Sequence, residues 1–188
     1  MRRLLAASLL LLAGCSTTDL NWKELSWKEL QWQAEGTAAW QIADEMVSLN
    51  PEGEGYLTTE GVYDDFELVI EFQPDNTVNS GILIRCQDRA DITPLTCLEI
   101  NIWDDHPNQD FRTGAIVIHA APPLAQLSTV GKWNTYRIVA NGPVVEAWLN
   151  GMLTARLDTT ELTGGFIALQ SQNGQVTFRN ARLTPLNP

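Results

Sequence analysis

The sequence predicts an all-β protein built as an antiparallel β-sandwich. Short runs of alternating apolar and polar residues recur from Thr37 onward, turn residues separate them at even spacing, and helix signals are almost absent. The strongest turn is Asn150–Gly151, between Val144–Leu149 and Met152–Leu157, because both central residues of a two-residue hairpin need positive φ.

At the start of the chain, Arg2 and Arg3 precede an apolar run from Leu4 to Leu12, followed by Ala13, Gly14 and Cys15. This is the pattern of a bacterial lipoprotein signal, and the run is too short to span a bilayer. Residues 1–14 are therefore expected to be removed and Cys15 to carry acyl chains that anchor the protein to a membrane of the cell envelope, periplasmic or surface-exposed. An ordinary secretory signal cut nearby is the alternative. Residues 15–36 contain a five-residue repeat, Trp22-Lys-Glu-Leu-Ser and Trp27-Lys-Glu-Leu-Gln, then Trp32. A period of five fits neither a helix stripe nor strand alternation, so this stretch is expected to be part tether and part cover. The domain proper is placed at 37–188.

Within that domain the expected strands are 38–42, 45–49, 55–59, 64–73, 80–86, 97–104, 113–118, 133–140, 144–149, 152–157, 164–171 and 175–184, with punctuation at Asn50-Pro51, Gly53, Asn141-Gly142-Pro143 and Asn173-Gly174. In the central pair, Ile82 and Ile84 oppose Leu83 and Arg85, while Leu98, Ile100 and Ile102 oppose Glu99, Asn101 and Trp103. Pairing these strands gathers a cation, a carboxylate, an amide and an indole on one face. Such a set suits a carbohydrate, whose hydroxyls bond polar groups and whose apolar ring face packs on an aromatic plate. A solvated face with an Arg85–Glu99 cross-strand pair is the alternative.

The formal charge of −11 becomes −13 once Arg2 and Arg3 leave with the signal, which argues against nucleic acid and anionic membrane surfaces as partners. Cys86 and Cys97 lie at the two ends of the loop between the central strands, in a compartment that favours oxidation, and a disulfide is expected. Strand parity puts them on opposite faces, so the bridge requires the pleat to break. Asp104, Asp105, His106 and Asp110 form an acidic loop offering oxygen ligands of the kind calcium takes. There is no EF-hand spacing, no zinc pattern, no nucleophile elbow and no phosphate-binding glycine loop, and a solvated acidic loop is the other reading.

Gly55-Tyr-Leu-Thr-Thr-Glu60, Tyr63-Asp-Asp-Phe-Glu-Leu68, Asn79-Ser-Gly-Ile82 with Arg85, Glu99-x-Asn101-x-x-Asp104, Lys132-Trp-Asn134, Leu149-Asn-Gly151, Gly165-x-Ile-x-Leu-Gln170 and Phe178-Arg-Asn180 together resemble the 3-keto-disaccharide hydrolase domain family, also called DUF1080, from about Trp40 to Leu183. The resemblance implies a concanavalin A-like jelly roll whose concave face holds a carbohydrate, with Arg85, Glu99, Asn101 and Gln170 lining it and Asp104 at the rim. It implies cleavage of a glycosidic bond in a 3-keto sugar, by elimination or hydrolysis. Glu99 is then the expected base, and Arg85 steadies the enolate oxygen. Asn101, Trp103, Asp104 and Gln170 bind substrate. His119 is the rival base, and a non-catalytic glycan-binding lipoprotein is the alternative function. The chain departs from the family pattern where Asn101 stands for glutamine, Glu45 for glycine, and Ser171-Gln-Asn173 for a segment with histidine.

Overall fold

The computed structural model describes residues 23–43, 46–50, 53–123 and 128–186. The expected signal 1–14, Cys15 with its expected acyl chains, and the first repeat tryptophan, Trp22, lie outside the described residues.

Two antiparallel sheets face each other. The larger contains β1 (Leu25–Ser26), β3 (Ala39–Ile42), β4 (Met46–Asn50), β6 (Phe66–Pro74), β9 (Asn134–Asn141), β10 (Val144–Leu149), β11 (Met152–Leu157) and β13 (Val176–Pro185). It runs β11-β10-β9-β6-β13-β4-β3, with β1 also on β13. The smaller runs β2-β5-β12-β7-β8, from β2 (Trp32–Gly36), β5 (Gly55–Thr59), β12 (Phe166–Ser171), β7 (Ser80–Cys86) and β8 (Leu98–Ile102). The all-β sandwich read from alternation is the observed fold, a jelly roll.

Period-two patterning explains the core. Phe66, Leu68, Ile70 and Phe72 point inward from β6 and meet Leu57, Ile82, Ile84, Leu98, Ile100, Ile102, Ile167 and Leu169 from the smaller sheet. Phe72 stacks on Tyr136 with ring centroids 4.8 Å apart. The Tyr136 hydroxyl crosses the core and donates to the Asn101 carbonyl at 2.6 Å, so the larger sheet fixes the backbone of β8. Burial pushes this phenol's pKa up, as expected for a hydroxyl serving as a donor in an apolar interior.

β7 and β8 are buried on both faces, because the loop 87–97 folds over one end of the smaller sheet's outer face. There Leu83, Cys86, Ile92, Cys97, Phe166 and Ala168 form a second small core. Cys86 and Cys97 are bonded. The pleat breaks at Arg85, whose φ of 53° lies in the left-handed region, and this brings Cys86 to the side of Leu83.

The described part of the N-terminal segment, from residue 23 on, is a cover packed on the domain. β1 pairs with β13 and β2 pairs with β5, while Trp27 and Leu30 between them are buried against the core. Trp32 packs on Trp27 at 4.8 Å and its indole N–H donates to the Trp27 carbonyl at 3.0 Å. The five-residue tryptophan spacing fits no single element because the segment changes sheet between Trp27 and Trp32. The domain therefore begins before residue 37. Residues 113–118 also differ from expectation. Gly114 at φ 95° and Ile118 at φ 63° bend them into a hydrogen-bonded cover for β8, with only Ile116 in isolated bridges. The Asn150–Gly151 hairpin stands as read, with φ of 50° and 82°.

Candidate functional site

On the outer face of the smaller sheet, beside the 87–97 loop, lies a cavity of about 360 Å³. Its wall includes Glu99, Asn101, Trp103, His106, Gln170 and Tyr56. This volume is within the range of small-molecule sites.

Glu99 occupies the floor because β7 offers no side chain at Gly81. A Cβ there would lie 2.9 Å from Glu99 Oε1. A glycine within a strand often marks such a close approach. Glu99 is 6% exposed, and no described residue donates a hydrogen bond to its carboxylate. Burial raises its pKa to about 7, since a carboxylate without donors is poorly solvated there.

Asn101 lines the cavity with its amide already engaged. Its Nδ2 donates to the Phe111 carbonyl, and its Oδ1 accepts from Ile102 N at 2.8 Å. Asn101 thereby holds the short 3₁₀ turn Gln109–Phe111 against β8. Trp103, half-buried just beyond β8, packs edge-on to His106 at 4.4 Å, and His106 packs on Phe111 at 5.7 Å. The Asn108 backbone holds the Nδ1 edge of His106, with O at 2.8 Å and N at 3.0 Å. Nε2 has no hydrogen-bond partner among the described residues and is open to a ligand. Gln170 is 8% exposed, and its Oε1 is buried with no partner among the described residues. Such an atom is costly unless a ligand or water bonds it.

Two residues expected here are elsewhere. Arg85 is fully buried at the end of the sandwich and lines no part of the cavity. Its five N–H donors are all used: Nε and Nη2 donate to Asp64 O at 3.2 and 3.0 Å, Nη1 to Gly142 O and Leu162 O at 2.8 Å each, and Nη2 to Asp65 Oδ1 at 3.0 Å. The same left-handed backbone that admits the disulfide turns this side chain off the predicted face. Asp104 is not a free rim carboxylate either. Its oxygens accept from Thr129 N at 2.6 Å and Thr129 Oγ1 at 2.7 Å. It ties the loop after β8 to the approach to β9.

Glu71, a carboxylate of β6, sits on the outer face of the other sheet, where its bond to Arg179 at 2.6 Å lowers its pKa. His119 is exposed and does not line the cavity. Among the described residues no three His, Cys, Asp or Glu side chains converge to hold a metal, those of Asp104, Asp105, His106 and Asp110 included. Tyr56, His106 and Gln172 are among the wall residues that the sequence had not assigned to the site.

Ile92, Thr93 and Pro94, inside the disulfide loop, form one side of the cavity. Reduction should lower stability by about 3 kcal/mol, as loop closure predicts, and weaken ligand binding by loosening this wall. Urea titration with and without reductant checks the first effect and calorimetry the second. An unchanged urea midpoint would show that the bridge is energetically idle.

The fold is shared with known structures. A candidate glycosyl hydrolase from Parabacteroides distasonis is 25% identical, aligned over 83% of this chain and 100% of its own, with a TM-score of 0.69. A second from the same organism is 20% identical over 79% and 84%, with a TM-score of 0.67. The carbohydrate binding module CBM66 from Bacillus subtilis is 16% identical over 81% and 94%, with a TM-score of 0.62, a likeness of fold alone. Comparison with curated proteins finds no match. The profile of one family covers residues 17–184, both sheets included, and the chain thus belongs to the family of the 3-keto-alpha-glucoside-1,2-lyase-like domain.

Proposed function

We propose that the protein cleaves the glycosidic bond of a 3-keto-glucoside by elimination, with Glu99 as the base. The observation that carries this reading is a buried carboxylate with no described donor and a pKa near neutrality, on the floor of a cavity of sugar size. The ketone acidifies the C2 proton of the sugar. Glu99 takes that proton, the C2–H electron pair becomes the C1–C2 double bond, and the C1–O bond breaks. The departing oxygen gains a proton, for which His106 is the lining group with an open ring nitrogen. Addition of water to C1 of the resulting enone returns 3-keto-glucose. The amides of Gln170 and Gln172 are lining donors for the ketone oxygen, in place of the guanidinium first expected there. Trp103 supplies the apolar plate.

Cleavage of a methyl 3-keto-α-glucoside in deuterium oxide tests this. Deuterium should enter C2 of the released 3-keto-glucose, and kcat/KM should fall as pH drops through about 7, because Glu99 acts only when ionised. Turnover without C2 deuterium would replace elimination with direct hydrolysis. Binding without turnover would favour the glycan-holding reading, which the likeness to a carbohydrate binding module supports. The leader ending at Cys15 supports a further proposal, that the protein works as a lipid-anchored component of the bacterial envelope.

A further inference from the structure

The cleft does not end at the Glu99 cavity. A second cavity of about 480 Å³ adjoins it and shares Tyr56, Gln170 and Gln172 in its wall. Strand register explains the continuity. Gln170 on β12 lies opposite Tyr56 on β5, which lies opposite Glu35 on β2, so the three side chains form one row across the outer face. Gln170 stands two strands from β8 and two from β2, about 10 Å each way at ordinary strand spacing. One compartment therefore extends on either side of it. The Tyr56 ring is held at this waist by its hydroxyl, which donates to the Ile92 carbonyl at 2.8 Å.

The second compartment differs chemically from the first. Among the described residues, Glu35, Glu54 and Asp91 line it with a single cation, Arg89. That guanidinium is engaged by Thr58 Oγ1 and Thr59 O at 2.6 Å each, lies over the Phe166 ring at 4.4 Å, and stands 3.9 Å from Glu35. Three carboxylates against one such cation leave the wall negative. The unpartnered Oε1 of Gln170, buried at the junction, is an independent sign of a missing hydrogen-bond donor. Hydroxyl and ammonium groups are donors, whereas a carboxylate is not and would be repelled by this wall.

We propose that this compartment is the subsite for the departing unit, and that it takes neutral and amino-bearing sugars and rejects acidic ones. The assignment rests on the elimination reading above. It sets the substrate class as 3-keto-glucosides whose leaving group is itself a neutral or amino sugar.

The test is kcat/KM for four 3-keto-α-glucosides with methanol, glucose, glucosamine or glucuronate as the leaving unit. The glucosyl substrate should exceed the methyl one, and the glucosaminyl substrate should exceed the glucuronyl one by about tenfold. In the double variant Glu54→Gln with Asp91→Asn, that ratio should shrink to about twofold. Equal values for the glucosaminyl and glucuronyl substrates, or for the methyl and glucosyl ones, would overturn the subsite. If no glycoside is turned over, the elimination reading fails instead. Calorimetry with the same two charged disaccharides then decides the subsite, tighter binding of the amino sugar supporting it and equal affinities overturning it.

Discussion

Replacing Glu99 by glutamine should reduce turnover of a 3-keto-glucoside by roughly 100-fold or more, while sugar affinity is retained. Glutamine preserves the shape over Gly81 but cannot accept the C2 proton. The same substitution carries a stability signature that separates Glu99 from an ordinary surface carboxylate. Its folded-state pKa of about 7 lies above the ordinary 4.5, so between these values the folded protein holds a proton that the unfolded chain releases. Stability is thus fully present below about 4.5 and declines as pH rises through about 7, by on the order of 3 kcal/mol. Glu99→Gln has no proton to lose. It should match wild type in urea unfolding at about pH 4 and exceed it by up to that amount at about pH 8.5. Parallel stability profiles for the two proteins would show that Glu99 is well solvated and unfit to be the base. Lost affinity together with lost turnover would make it a binding group.

Arg85 gives the largest expected loss of stability. Its guanidinium joins Asp64 and Asp65 before β6, Gly142 in the β9–β10 turn and Leu162 before β12, all by hydrogen bonds inside the protein. Removing it takes these donors from three carbonyls and one partner from the Asp65 carboxylate, which still accepts from Gly142 N at 2.8 Å, a loss of about 3–5 kcal/mol. Arg85→Met, which keeps most of the volume, and Arg85→Lys, which keeps the charge but not the planar fork, should both unfold at markedly lower urea. Turnover per folded molecule should stay near that of wild type. A stable Arg85→Met protein with turnover abolished would return Arg85 to the chemistry.

These two residues also mark where sequence reading worked and where it stopped. Alternation alone put Glu99 and Asn101 on the face opposite Ile100 and Ile102, because β8 is straight and its period-two pattern survives folding. The same rule applied to Arg85 fails at one residue, since a left-handed φ reverses parity and nothing in Ile84-Arg85-Cys86 signals it. The doubt about the cysteine pair and the error about the arginine have that one cause. Asp104 was misplaced for a different reason. Its partner Thr129 is 25 residues away, and such pairings depend on tertiary structure. The row Glu35, Tyr56, Gln170 is equally invisible, because register between strands distant in sequence is set by packing. Gly81 was the available clue, a glycine inside an otherwise regular strand.

The antiparallel pairing of Leu25 with Leu183 has a consequence for everything joined to this domain. The first and last described strands lie side by side, so the polypeptide enters and leaves at one seam. Both belong to the larger sheet, and neither is a strand of the sheet that carries the cleft. An extension at one end and a partner fused at the other would emerge as neighbours, with the binding face left to the opposite layer. From β1 to β13 the described chain is close to a ring, and the opening of that ring is placed where it does not interrupt the row from Glu35 to Gln170.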